Sequence, residues 1–212
     1  VQSTHLNLAF NGDEEFGRLH AAIRLLLPLL PALAASSPLV DGRASGMLDT
    51  RLEYYRSNQK RVPSISGAVI PEQAYTRKDY EKIILSRNYE DIAPYDPDGI
   101  LQCEWLNSRG AIARFDRSAI EIRLLDIQEC PRADLAVASA IVAALRALVA
   151  ERWQPCAAQA ALGVAPLAEL FLAVIREADR TVIADRNYLD LFGMHEKKMT
   201  AGEFWQALVE KT

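Results

Sequence analysis

Cysteine is scarce. The 212 residues hold three, Cys103, Cys130 and Cys156, odd in number and far apart. No Cys-x-x-Cys spacing occurs, and the three histidines, His5, His20 and His195, do not gather near them. This argues against a disulfide framework and a structural zinc centre, and makes a reducing cytosol the expected compartment. Nucleophilic catalysis has no support either, because there is no GxSxG, no Ser-His-Asp order and no cysteine beside a histidine. A phosphate-binding GxxxxGK(S/T) loop is missing. So is a basic excess: 24 Lys and Arg against 28 Asp and Glu give a net charge of -4, which argues against a nucleic-acid partner. The longest apolar stretch, LLLPLLPALAA at 25–35, carries two prolines and is too short to span a bilayer. No signal peptide, internal repeat or low-complexity segment is visible.

What remains is half hydrophobic and a quarter charged, an ordinary soluble globular composition. The chain opens VQSTHLNLAF, without an initiator Met and with strand alternation from the outset. It is therefore expected to be the C-terminal part of a longer protein. Thr4 to Phe10 puts His5 and Asn7 on one face and Leu6, Leu8 and Phe10 on the other, a half-buried strand. Asp13 is a candidate cap for a helix running to about Ala35, which Pro28 and Pro31 should kink or split.

SSPLVDGRASG at 36–46 reads as loop, 48–59 as a short helix, and 76–90 as a helix capped by Thr76. GAIARFD at 110–116 and AIEIRLLDIQ at 119–128 read as a β-hairpin. Helices are predicted from Pro131 to about Trp153, over 157–178 with breaks near Gly163 and Pro166, and over 201–211 behind a Thr200 cap. The fold class is α+β: an antiparallel sheet with helices packed on one side rather than alternating βαβ units.

Two short patterns carry charge where a strand is predicted. Glu121 and Arg123 are two apart and so share a face. They form either a salt bridge on the solvated face of an edge strand or the grip on a metal-bound polyphosphate, with the carboxylate as a hard ligand and the guanidinium as a fork. His5 and Asn7 repeat the geometry, as surface polar residues or as a ligand contact plus an orienting amide. Arg43 lies in the 36–46 loop, either in a plain connection or in one that wraps an anion. Arg51, Glu53 and Arg56 on the next helix read as a solvated face.

The order HLNLAF, LPALAASSPLVDGR, AIEIRLLDIQECPRADLAV, leading into an Ala-rich helix, resembles the glutamate–cysteine ligase family 2, the carboxylate–amine ligases, over roughly residues 2–150. ASSPxxxGR and EIRxxDxQ are its most specific parts. The resemblance implies a glutamine-synthetase-like half-domain with residues 1–155 as the C-terminal part of the catalytic domain and 156–212 as its helical extension. It implies an ATP- and Mg²⁺-dependent joining of an amino acid's carboxylate to an amine through an acyl phosphate. Glu121 and His5 would then ligate metal. His5, Asn7 and Arg123 would contact nucleotide. Arg123 and Arg43 would serve catalysis. Many bacterial members have His where this chain has Asn7, and the family's N-terminal strand with further metal-binding carboxylates is absent, so this chain alone is not expected to be active. Two alternatives stay open: a non-catalytic relative that binds a nucleotide or amino acid, and a helical interaction module that dimerises through 132–153 and 157–178. No nucleic-acid or membrane partner is expected, and self-association is left open.

Overall fold

The computed structural model describes residues 2–212. Strand β1 (Ser3–Ala9) leads into helix α1 (Gly12–Leu26). Asp13 does not cap it. The helix begins at Gly12, two residues earlier than an Asp13 cap would set it, with the Asn11 N–H donating to Glu15 Oε2 at 2.6 Å, while Asp13 Oδ1 accepts the Arg77 N–H at 3.0 Å. The prolines split the run as expected: a 3₁₀ turn at Leu27–Leu29 separates α1 from α2 (Leu30–Ala34). Taken whole, Gly12–Ala34 is long and apolar enough to cross a membrane, but 83% of its most apolar window is buried inside the fold, as in a core helix.

A β-hairpin follows, β2 (Leu39–Val40) and β3 (Arg43–Ala44), turning on Asp41 and Gly42, both with positive φ (49° and 74°). This is the conformation that an Asp-Gly pair tolerates best. Helix α3 (Thr50–Ser57) is capped by Asp49, whose carboxylate accepts the Leu52 N–H. Helix α4 (Arg77–Tyr80), capped by Thr76, passes through a π-helical turn into α5 (Ser86–Ile92).

Strands β4 (Ala111–Arg114) and β5 (Ala119–Asp126) are joined by Phe115–Arg117 and a left-handed Ser118, a longer turn than Arg-Ser alone. Helix α6 (Pro131–Val149) stops before Trp153 because Glu151 turns left-handed, φ 54°. Helices α7 (Cys156–Ala161) and α8 (Val164–Glu177) break only at Leu162–Gly163. Pro166 sits in the first turn of α8, where no N–H is needed. After β6 (Val182–Ile183), α9 (Arg186–Asp190) and β7 (Met199–Thr200), the chain ends in α10 (Ala201–Lys211) behind a Thr200–Glu203 capping box. The fold is α+β.

The three-stranded antiparallel sheet has the order β1-β5-β4. Directly opposed residues share a face. Leu6, Ile122 and Ala111 form one row and Leu8, Ile120 and Ala113 the next. This aliphatic face joins Phe16, Leu19 and Ile23 of α1 and Ile141, Leu145 and Leu148 of α6 in one core. Residues 156–212 enter the same core. Two carbonyls in and beside the proline-broken run are taken by their side chains: Tyr188 OH donates to Leu25 O at 2.6 Å, and Trp205 Nε1 to Leu29 O at 2.8 Å. Arg24 is fully buried and has no carboxylate partner among the described residues. It donates instead to Pro71 O, Tyr75 OH and Leu162 O.

Candidate functional site

The second face of the sheet is polar, and the register says why. Asn7, Glu121 and Ile112 oppose one another across β1, β5 and β4, with Arg123 and Arg114 two residues along their own strands. His5 reaches Glu121: Nδ1 lies 2.8 Å from Oε1. Arg123 Nε donates to the same oxygen at 2.9 Å, and Arg114 comes within 3.9 Å of Oε2. His5 Nε2 meets Ser3 Oγ at 3.1 Å. The sheet therefore brings His5, Glu121 and Arg123 together, with Asn7 on the same face. Side-chain exposure falls from 41% at His5 to 20% at Arg123 and 11% at Glu121, so the cluster is open on the β1 side and closed at the carboxylate.

Arg43 is not in the cluster. It stands exposed on the small β2–β3 hairpin, and its side chain has no hydrogen bond or ion pair among the described residues.

Arg123 is approached from a second side that the sequence did not reveal. Tyr55 of α3 donates to Arg109 O at 3.1 Å, with its phenol in the field of the Arg123 guanidinium. Burial pushes the Tyr55 phenol above its usual range, and Arg123 and Arg51 work against that rise. Arg51 does not belong to a solvated face. Its side chain is 13% exposed, pairs with the buried Asp126 through Nε, and reaches the Arg123 carbonyl at 3.5 Å. Glu53 and Arg56 do lie on the surface, paired at 2.6 Å.

Asp126 owes its position to an irregularity. From Leu6–Ile122 to Thr4–Leu125 the register advances two residues on β1 and three on β5. A regular strand would set Asp126 with Ile120 and Ile122 on the aliphatic face. The extra residue turns it to the polar side, opposite Ser3. There Asp126 Oδ2 accepts the Ser36 N–H at 3.0 Å and the Ser37 hydroxyl at 2.7 Å. Gln128 Nε2 donates to Ala34 O at 2.8 Å. The two most specific sequence stretches, ASSPxxxGR and EIRxxDxQ, are thus one physical junction.

The family model of the glutamate–cysteine ligase family 2 matches residues 1–206, nearly the whole chain. The chain belongs to the glutamate–cysteine ligase family 2. The match runs well past residue 150 and takes in the helices that close the core, so the tail is part of the family's pattern. An uncharacterized protein of Archaeoglobus fulgidus is 44% identical over 151 residues, which is 71% of this chain and 40% of that relative. The chain thus spans about 40% of the length of the curated relative it matches. No solved structure matches the chain.

Membership in the glutamate–cysteine ligase family 2 suggests a carboxylate–amine ligase-like function. On that expectation the polar face meets the demands of Mg²⁺ in part. With Asp126 buried and taken by Ser36, Ser37 and Arg51, the open part of the face offers one carboxylate, one imidazole and one amide, and among the described residues no group of three or more His, Cys, Asp or Glu could hold a metal. Mg²⁺ bound chiefly by phosphate oxygens and water needs only one or two protein carboxylates. Glu121 fits that lesser role and no larger one.

Proposed function

We propose that this face belongs to an ATP-dependent carboxylate–amine ligase of the glutamate–cysteine ligase type, acting in the cytoplasm on an amino acid and an amine. The observation that carries the reading is the single carboxylate of Glu121, bracketed by His5 at 2.8 Å and Arg123 at 2.9 Å on one sheet face. Phosphoryl transfer asks a protein for alignment and charge neutralisation more than covalent chemistry. A guanidinium that is already anchored to Glu121 through Nε presents its remaining N–H groups to an anion with less side-chain freedom to lose. Arg123 is thus fitted to hold the transferring phosphate or the substrate carboxylate.

Glu121 and His5 would hold Mg²⁺, which when bound neutralises phosphate charge. Asn7 would orient the nucleotide. Arg114 adds positive charge on the far side of Glu121, though its Nε and a terminal nitrogen are tied to Asp116 at 3.2 and 3.1 Å. Arg43 would contribute only if its hairpin lies along bound substrate. Attack of one substrate's carboxylate on the γ-phosphate gives an acyl phosphate and ADP. The amine then displaces phosphate, leaving an amide.

A second reading, a non-catalytic binder of nucleotide or amino acid, is favoured by the engagement of Glu121 with its own neighbours. Both are tested by measuring ADP release with glutamate and a panel of amines. Turnover lost in Glu121→Gln at an unchanged thermal midpoint supports the ligase. Full turnover in that variant rejects the assignment, and nucleotide binding without any turnover favours the second reading.

A further inference from the structure

We propose that the buried carboxylates Asp49 and Asp126 form a proton-operated seat for α3, and that α3 in turn positions Arg123 on the polar face. Only the role given to Arg123 rests on the ligase reading; the seat is a property of the fold itself.

The geometry leaves one negative charge over. Asp126 and Asp49 are both wholly or almost wholly buried, and Arg51 is the cation at the junction. The Ser37 hydroxyl has a single proton, and it lies 2.7 Å from Asp126 Oδ2 and 3.4 Å from Asp49 Oδ1. Asp49 Oδ1 also accepts the Leu52 N–H at 3.0 Å, capping α3. Asp49 Oδ2 is buried with no hydrogen-bond partner among the described residues, and so is a terminal nitrogen of Arg51.

The surroundings do not supply a second cation. On β5 the facing charge is Asp126, and on α3 it is Arg51. From α8 come the carbonyls of Ile175 and Arg176, which accept the Asp49 and Leu48 N–H groups, while the Arg176 and Glu177 side chains lie at the surface. A buried carboxylate in such a place keeps its proton. Burial first, and then the Asp126 charge, push Asp49 up to about 7.

The consequence reaches the polar face through one helical turn. Arg51 and Tyr55 are four apart on α3 and project from the same side. With a proton on Asp49, Arg51 pairs with Asp126 as its one ionised carboxylate and reaches the Arg123 carbonyl at 3.5 Å, while the Tyr55 hydroxyl rests against Arg109 O. When the proton leaves, Arg51 is drawn between two buried anions. The first turn of α3 then reseats and Tyr55 shifts with it. Asp49 is a positioning residue and touches no reacting atom.

The experiment needs no ligand. In wild type, the Arg123 Nε resonance and the hydrogen-exchange protection of residues 52–57 are followed by NMR from about pH 6 to about pH 8, after correction for intrinsic exchange. Both are expected to move together, with α3 protection falling about tenfold and the amides of α8 unchanged. Asp49→Asn keeps the cap, since Asn caps helices as well as Asp does, and should flatten both curves. Movement of the same size in Asp49→Asn, or none in wild type, overturns the proposal. A carbon-detected titration of wild-type Asp49 and Asp126 removes any dependence on a variant. One carboxyl titrating near neutrality is expected, and both titrating in the ordinary carboxylate range would overturn it. A seat that titrates while Arg123→Met binds Mg²⁺–ATP like wild type would sink the ligase reading alone. Nucleotide binding lost in Arg123→Met with no titrating seat would sink this proposal alone.

Discussion

Asp126→Asn exchanges an oxygen for an NH₂ at the junction between the ASSP loop, α3 and β5. In wild type, one carboxylate oxygen serves Arg51 Nε while the other serves the Ser36 N–H and the Ser37 hydroxyl. Whichever way the Asn amide turns, its NH₂ faces donors. Either Arg51 loses its acceptor or Ser36 and Ser37 do. Removing one partner of a buried ion pair costs about 3–5 kcal/mol, because the charge left behind is uncompensated. Part is returned, since Asp49 no longer faces a second carboxylate and sheds some of its raised affinity for a proton, worth roughly 1 kcal/mol at neutral pH. The net loss is about 2–4 kcal/mol, which for a domain of this size lowers the thermal midpoint by roughly 5–15 °C. Thermal and urea unfolding at neutral pH measure it, and a double-mutant cycle with Arg51→Met should return a coupling of about 1 kcal/mol or more. A loss below about 0.5 kcal/mol, typical of an ordinary surface change, would refute the claim that loop and helix hang on this carboxylate.

Three further outcomes are expected. A Cβ at Gly110 would lie 2.6 Å from Leu124 Cδ1, so Gly110→Ala should cost about 1–3 kcal/mol in unfolding free energy, and restoring room with Leu124→Ala in the same chain should recover part of it. His20 is wholly buried and, through burial first and Arg24 second, has its pKa lowered to about 3. Its contribution is complete above the unfolded value near 6.5 and is lost as pH falls toward 3, whereas that of Asp49 is complete below its unfolded value near 3.8 and is lost as pH rises through about 7. The two slopes oppose each other between those unfolded values, so wild-type stability should be flat there, while urea unfolding of His20→Leu should show stability falling with rising pH. Tyr55→Phe should free the Arg109 carbonyl beside Arg123 and cost about 0.5–1.5 kcal/mol in unfolding free energy, read by urea unfolding.

How much of this was legible in the sequence depends on how local the cause is. The polar face of β5 follows from the spacing of Glu121 and Arg123, because alternation needs no knowledge of the neighbours. The same holds for the caps at Thr76 and Thr200 and for the break at Pro28 and Pro31. Asp126 was readable only as part of a pattern: its strand parity points to the aliphatic face, and only a register irregularity against β1 reverses it. Arg51 and Tyr55 lie on a helix with charges all round, and sequence does not say which side meets the sheet. Arg114 stands on the third strand, and its approach to Glu121 depends on which strands pair. The C-terminal helices showed no distinctive motif because their tie to the core is made to backbone carbonyls at Leu25 and Leu29, which any residue supplies.

The most direct test of the ligase reading is a calorimetric titration of Mg²⁺–ATP into wild type, Arg123→Met and Glu121→Gln at matched ionic strength. Wild type should bind, and Arg123→Met should bind at least about tenfold more weakly, a loss of roughly 1.4 kcal/mol, at an unaltered unfolding midpoint. Glu121→Gln should lose the dependence on Mg²⁺. Equal affinity in all three proteins, with or without the metal, would contradict the assignment of the polar face as the nucleotide site.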